Sequence, residues 1–346
     1  MVNITGGANL ARGLVSNNAF NLGSGTLNVS GGTLQLNNGG TASGVMNIST
    51  PGTLLFSGGT YNFSSGGFSG TGTTTVAGAT VNLPSLNLSG VSNVTAGQLN
   101  VAGATSIAPT GVMTVSGGVL NANGPLFVDG TLQSTPPGII NTAGQPITVG
   151  GLLDLGGGTL QTTQLNIISS GVLKGKGTVI GNVIVAGTFA PGTSPGIVNI
   201  NGNYTQTGTL QIELGGITPG TGYDQVVVSG TANLGGTLDV RQFGAFVSPP
   251  SATFQVVRAG TVNGTFTNTI VPLIFSGLST SYQSQFVELG NAAVTTASVL
   301  APVDPSIVKQ DRELVAVLKK LVGNDAVEEV LNASGDGEKK NTPNCN

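Results

Sequence analysis

The stretch GTLNVSGGTLQL at 25–36 returns as GTLLFSGGTYNF at 52–63 and, in altered form, as VMTVSGGVLNANG at 112–124. Each copy is an alternating run of four or five residues, one or two glycines, and a second short run. Alternation turns the apolar side chains inward and leaves the Asn, Thr, Ser and Gln side chains outside, as in a β-strand. The glycines permit the positive φ that a tight corner needs. The stretch therefore predicts short strands joined at corners.

Looser copies of this pattern continue along the chain. They are TTTVAGATVNL at 73–83, QLNVAGATSI at 98–107, LFVDGTLQS at 126–134, ITVGGLLDLGGGTLQ at 147–161 and VIVAGTFAPG at 183–192. A single copy cannot bury its apolar face, whereas stacked copies share one continuous core. The pattern predicts an all-β fold, a right-handed parallel β-helix (solenoid) with coils of about twenty residues and about two or three corners per coil.

Composition agrees with an ordered chain that carries little charge. Gly accounts for 57 of 346 residues, hydrophobic residues make up 38% and charged residues only 7%. Disordered chains combine low hydrophobicity with high net charge, which is not the case here. The net charge is −3 and basic residues do not cluster, which argues against a nucleic-acid partner.

Charge also divides the chain, because residues 301–346 hold 6 of the 11 basic and 8 of the 14 acidic residues. We predict three parts. A β-helix repeat stem covers 1–187, and a modified, closing β segment with longer strands and more Phe covers 188–300. The third part, 301–346, is a short charged α-helical tail with a flexible end. Asp304 and Pro305 suit the start of its helix, and an amphipathic stripe follows them.

A family resemblance lies in the segment 177–240, which contains GTFAPGTSPG, then GNYTQTGTLQIELGG, then YDQVVVSGTANLGGTLDV. This order resembles the closing segment of bacterial autotransporter passengers. Residues 1–187 are similar to the haemagglutinin-like β-helix stem shared by autotransporters and two-partner-secretion exoproteins. The chain ends in a charged tail with PNCN where an autotransporter continues into a membrane barrel. That end is more similar to the ends of two-partner-secretion exoproteins.

The resemblance implies a secreted or surface-exposed structural or adhesive stem, such as an adhesin or filament shaft. It places the protein outside the cell or at the bacterial cell surface, in association with the outer membrane. The implied partners are an outer-membrane transporter for secretion and glycans or proteins of host or bacterial surfaces. Neither a signal peptide nor an apolar run of about 18 residues is visible, so no transmembrane segment is predicted. We expect a fragment, the C-terminal part of a larger exoprotein.

Two other functions stay open at this point. One is a polysaccharide-active β-helix lyase or hydrolase, and the other is the carrier stem of a contact-dependent toxin system. Such enzymes need paired carboxylates, and residues 1–300 contain six acids and no His. Asp129 and Asp154 are 25 positions apart, about one coil, and form the best available pair. A solvated surface role is the alternative for both. We therefore predict no enzyme activity.

Several smaller features point to structure or remain open. Asp224 follows Tyr223, and its place in the segment that resembles autotransporter passenger ends implies a turn or capping role. Lys174 and Lys176 suit an exposed strand face. No glycine string precedes a helix, and LGGGTL at 155–160 lacks the Asp of a calcium repeat, so neither a cofactor nor a metal is predicted. Nine Asn-x-Ser/Thr sequons leave glycosylation open. Cys345 is the single cysteine and either links two chains or has no role.

Overall fold

The structure is a computed structural model that describes residues 2–291. They belong to one compact unit, a parallel β-solenoid in which each of three faces carries a strand in thirteen successive coils. The predicted all-β, parallel β-helix fold is therefore confirmed, while the right-handed winding stays a prediction. The predicted helical tail and Cys345 lie outside the described residues. Between residues 2 and 291 no helix has the length and apolar character of a membrane span.

Each coil passes through three faces in the same order, which we name A, B and C. The strands confined to face A are Val2–Ile4, Phe20–Leu22, Gly40–Ala42, Thr60–Phe63, Val119–Ala122, Ile139–Asn141 and Ile197–Asn201. Face B contains Ala8–Leu10, Thr26–Val29, Val45–Ile48, Gly67–Ser69, Leu86–Leu88, Thr105–Ile107, Leu126–Val128, Ile147–Val149 and Tyr204–Gln206. Face C contains Leu14–Ser16, Thr33–Leu36, Thr53–Phe56, Val112–Val115, Thr131–Ser134, Leu152–Asp154, Val172–Gly175, Thr188–Pro191, Thr209–Leu214, Thr237–Gln242 and Asn268–Ile270.

Longer strands turn a corner without interruption. Thr73–Leu83 and Val91–Val101 pass from face C to face A. The strands that pass from face A to face B are Thr159–Ile167, Gly177–Val185, Gln225–Leu234 and Thr253–Gly264. On all three faces strands pair in parallel with their counterparts in the adjacent coils, except on face B between Gly67–Ser69 and Leu86–Leu88, where the pairing is interrupted.

Successive coils are in register at intervals of about twenty residues. Asn82 lies 20 positions after Asn62, and Asn121 lies 21 positions after Asn100, each directly above its partner. The predicted coil length is thus confirmed, with three corners per coil. The 27-residue repeat in the sequence joins two different faces, because Thr26–Val29 stacks on Val45–Ile48 whereas Thr53–Phe56 stacks on Thr33–Leu36.

The core is a continuous column inside the coils. Along each strand buried and partly exposed residues alternate, as in Thr33–Leu36 and Val112–Val115. Burial of one Leu or Val side chain contributes about 1.5–3 kcal/mol. Aromatic side chains widen the column locally, and the ring centroids of Phe56 and Tyr61 are 4.8 Å apart. Because each coil contacts only its neighbours, stability accumulates coil by coil.

Glycine is required where one corner lies directly on another. Gly97 has φ +77°, and a Cβ at this residue would lie 2.1 Å from the backbone oxygen of Ala79 in the preceding coil. Both the left-handed backbone and the close approach exclude a side chain. The glycine-rich corners therefore result from the stacking distance as well as from the turn.

The coils continue across residue 187 without a break, and the regular spacing ends further on. Thr231 lies 28 positions after its face B partner Asn203, because the chain adds a loop after Thr209–Leu214. The last strand, Phe286–Asn291, runs antiparallel to Thr253–Gly264 and to Leu278–Tyr282. A short 3-10 helix, Leu273–Phe275, precedes this pair. The antiparallel strands close the edge of face A.

Candidate functional site

Five of the eleven charged side chains among the described residues line one groove on face C. We call it the charged groove. It is a cavity of about 230 Å³ bordered by the 190–194 loop. Apart from that loop, its lining consists of Asp154, Lys174, Gln211, Glu213, Asp224 and Arg241. This is notable in a stack that otherwise presents mainly Thr, Asn, Ser and Gln to solvent.

Strand register explains why these residues meet. Asp154 aligns with Lys174 in the next coil, because both occupy the same outward position of face C. Two coils further on, Glu213 aligns with Arg241. In both pairs, Asp154 with Lys174 and Glu213 with Arg241, the two residues lie in adjacent coils. The groove is thus assembled from side chains of several neighbouring coils.

Two ion pairs neutralise much of the charge at the groove. Lys174 Nζ lies 3.5 Å from Asp154 Oδ2, and the Lys174 side chain is 45% exposed. Arg241 donates through Nε and Nη2 to Asp239 Oδ2 at 3.0 and 2.9 Å. Exposed pairs of this kind contribute about 0–1 kcal/mol each. They therefore contribute little to the stability of face C.

Asp224 is the one buried carboxyl of the groove, with 1% of its surface exposed. Oδ1 accepts a hydrogen bond of 2.7 Å from the backbone N–H of Gly196, and Oδ2 accepts one of 2.8 Å from that of Glu213. Burial raises the pKa of Asp224 to about 7, against the lowering effect of these two hydrogen bonds. The predicted capping role of Asp224 is confirmed.

The chemistry available to the groove follows from these contacts. Both oxygens of Asp224 are occupied by the backbone, so its carboxyl holds the loop in place. Asp154 and Glu213 are the more accessible carboxylates, and Asp154 already pairs with Lys174. Within residues 2–291 no cluster of three or more His, Cys, Asp or Glu side chains is arranged to hold a metal ion.

Asp129 and Asp154, the two predicted site residues, lie on different parts of the coil. Asp154 faces the charged groove, whereas Asp129 lies at an exposed corner after Leu126–Val128. Asp129 does not stack on Asp154, because Asp154 aligns with Gln133 in the preceding coil. Their separation of 25 positions exceeds the coil by about five residues, which places them on different parts of the coil.

Glu213 and Arg241 were not predicted to line the same groove as Asp154. The signal was weak, because the coils lengthen after Ile197–Asn201 and the spacing of 20 residues no longer applies.

A stacked row of asparagines on face A was not predicted either. On face A, Nδ2 of each asparagine donates to Oδ1 of the one before it, at 2.7 to 3.3 Å, through Asn62, Asn82, Asn100, Asn121 and Asn141.

The comparisons with known proteins give no relative. Neither the scan against protein-family models nor the search of curated proteins finds a match for this chain.

Proposed function

We propose that the chain is a non-catalytic stem of a secreted or surface-exposed bacterial exoprotein, of the haemagglutinin-like and autotransporter-like kind. The observation that carries the proposal is the long stack of thirteen coils, whose outer faces repeat uncharged polar side chains. A solenoid of this kind extends in one direction and exposes a large lateral surface. Such a surface suits a shaft that holds a binding region away from the cell.

The charges at the groove agree with a structural role. The pairs Lys174–Asp154 and Arg241–Asp239 join charges of opposite sign, and Asp224 holds two backbone N–H groups. We further propose an outer-membrane transporter as the secretion partner, and surface glycans or proteins as adhesion partners. Both follow from the resemblance to haemagglutinin-like, two-partner-secretion exoproteins.

The test is to locate the protein and measure adhesion in the source organism. An antibody raised against the purified chain is applied to intact cells, to the culture medium and to lysed cells. We expect the signal on intact cells or in the medium, and we expect deletion of the gene to reduce attachment to surfaces or host cells. A signal confined to lysed cells would overturn the proposal.

A polysaccharide-active enzyme is the second candidate, because Asp154, Glu213 and Asp224 share one groove. Glycoside hydrolysis uses two carboxyl groups on either side of the bond. The full chain is incubated with a panel of neutral and acidic polysaccharides, and reducing ends and unsaturated products are measured. Cleavage that is lost in both Asp154→Asn and Glu213→Gln would support the enzyme and replace the stem as the main function.

A further inference from the structure

A second depression lies on face B and differs from the charged groove in chemistry. We call it the amide shelf. It has a volume of about 390 Å³. It is lined by Gln164, Asn182, Val183, Ile184, Asn203, Thr205, Thr231 and Asn233. All of its polar groups are side-chain amides and hydroxyls, and no lining residue carries a charge.

Hydrogen bonds between coils fix the orientation of two of these amides. Asn182 Oδ1 accepts from the backbone N–H of Asn203, and Asn203 Oδ1 accepts from that of Thr231, both at 2.9 Å. The oxygen of each amide is therefore committed to the next coil. Among the described residues no hydrogen bond occupies Nδ2 of either asparagine, and both side chains are exposed. Each amide keeps two N–H donors for a ligand.

The backbone around the amide shelf offers no unpaired strand edge to a ligand. Gly177–Val185 pairs on one side with Thr159–Ile167 and on the other with Tyr204–Gln206. Recognition of an extended peptide by strand addition requires an unpaired edge, which is absent along these paired segments. A ligand at this position must therefore be recognised through side chains.

We infer that the amide shelf binds an uncharged glycan, which deepens the adhesive role proposed above and rests on it. Sugar hydroxyls accept from amide N–H donors and exchange hydrogen bonds with Thr205 and Thr231. The half-buried Ile184 offers an apolar contact for the C–H face of a sugar ring. An anionic ligand finds no basic partner in the lining. The cavity volume falls in the range of small-ligand sites, so a short oligosaccharide fits.

Substitution of Asn by Asp separates binding from folding at this site. In the double variant N182D/N203D each side chain keeps the oxygen that caps the next coil and loses the Nδ2 donors. The control N87D/N268D adds the same charge at two exposed asparagines, one on face B far along the stack and one on face C. Thr205→Val removes one hydroxyl with little change of volume and serves as a second variant if N182D/N203D fails to fold.

The full chain is applied to a printed array of neutral, sialylated and sulphated oligosaccharides, and the strongest ligand is measured by calorimetry. We expect selective binding to neutral glycans. The affinity should fall at least tenfold in N182D/N203D and clearly in Thr205→Val, and it should stay within about twofold in the control, with thermal unfolding as the check on folding.

Absence of neutral-glycan binding, preference for acidic glycans, or undiminished binding by the folded variants would each overturn the inference. Surface location and cell attachment are measured independently of the array. A chain that is displayed and adhesive but binds no neutral glycan refutes the amide shelf alone. A chain found only inside the cell refutes the proposed stem.

Discussion

Asp224 accepts a hydrogen bond of 2.7 Å from the backbone N–H of Gly196, which lies 28 positions earlier in the chain. The same carboxyl accepts from the backbone N–H of Glu213. One buried side chain thus fastens the loop that follows Thr188–Pro191 to the next coil of face C. The charged groove owes its shape to this attachment.

Loss of the Asp224 carboxyl should destabilise the protein substantially. In Asp224→Ala two backbone N–H groups lose their acceptor in a buried region, and each orphaned donor costs about 1–3 kcal/mol. We expect the free energy of unfolding to fall by about 2–5 kcal/mol in urea titrations. The matched control is Asp129→Ala, whose exposed side chain should matter by less than about 0.5 kcal/mol. Equal stability of the two variants would contradict the fastening role.

The contribution of Asp224 should depend on pH in a defined direction. Its pKa is about 7 in the folded protein and 3.8 as an ordinary Asp, so the folded state binds the proton more tightly between these values. The stability from this group is therefore greatest below about pH 4 and declines as the pH rises towards 7. The difference in unfolding free energy between wild type and Asp224→Ala should shrink over this range. A carboxyl carbon of Asp224 that titrates below pH 5 by NMR would refute the raised pKa.

The asparagine row of face A should contribute measurably to stability. Asn100 donates to Asn82 and accepts from Asn121, both at 2.7 Å, and a hydrogen bond contributes about 0.5–1.5 kcal/mol net. We expect Asn100→Ala to cost about 1–2 kcal/mol. Asn100→Asp should cost more, because a carboxylate loses the same donor and also places a negative charge against Oδ1 of Asn82. The unfolding free energies are measured by denaturant titration, with Asn87→Ala and Asn87→Asp as controls. Equal losses at Asn87 and Asn100 would show that the row does not stabilise the protein.

Gly97 should not tolerate a side chain. Gly97→Ala forces a non-glycine residue to φ +77° and places its Cβ 2.1 Å from the oxygen of Ala79. We expect a loss of more than about 2 kcal/mol, together with faster amide hydrogen exchange in the two coils that meet there. Gly6→Ala is the comparison, because nothing lies within 4 Å of a Cβ at that position. Retention of wild-type stability in Gly97→Ala would show that the corner can relax.

The fold was predictable because alternation and glycine corners are local properties of the sequence. The face to which each strand belongs was not predictable, since all three faces use the same alternating pattern. The copies at 25–36 and 52–63 look alike, yet Thr26–Val29 belongs to face B and Thr53–Phe56 to face C. The outward asparagines from Asn62 to Asn141 are 18 to 21 positions apart, which equals the length of a coil. This spacing could have been used to predict which residues stack on each other.

The site was less predictable than the fold. Asp129 and Asp154 were paired on a separation that only approximates one coil, and a shift of a few residues moves a side chain around a corner. Glu213 and Arg241 meet only because a loop lengthens the coil between them. Asn182 and Asn203 keep free Nδ2 donors because Oδ1 of each accepts from a backbone N–H of the next coil. The sequence holds no signal for these hydrogen bonds.

The stacking of coils has a mechanical consequence. Hydrogen bonds between coils run along the axis of the stem, so a force applied to the two ends of the chain acts on one outer coil at a time. We expect such a coil to detach as a unit of about twenty residues and to add about 70 Å of extended chain. Under tension the solenoid should lengthen in discrete steps of this size while the remaining coils stay folded.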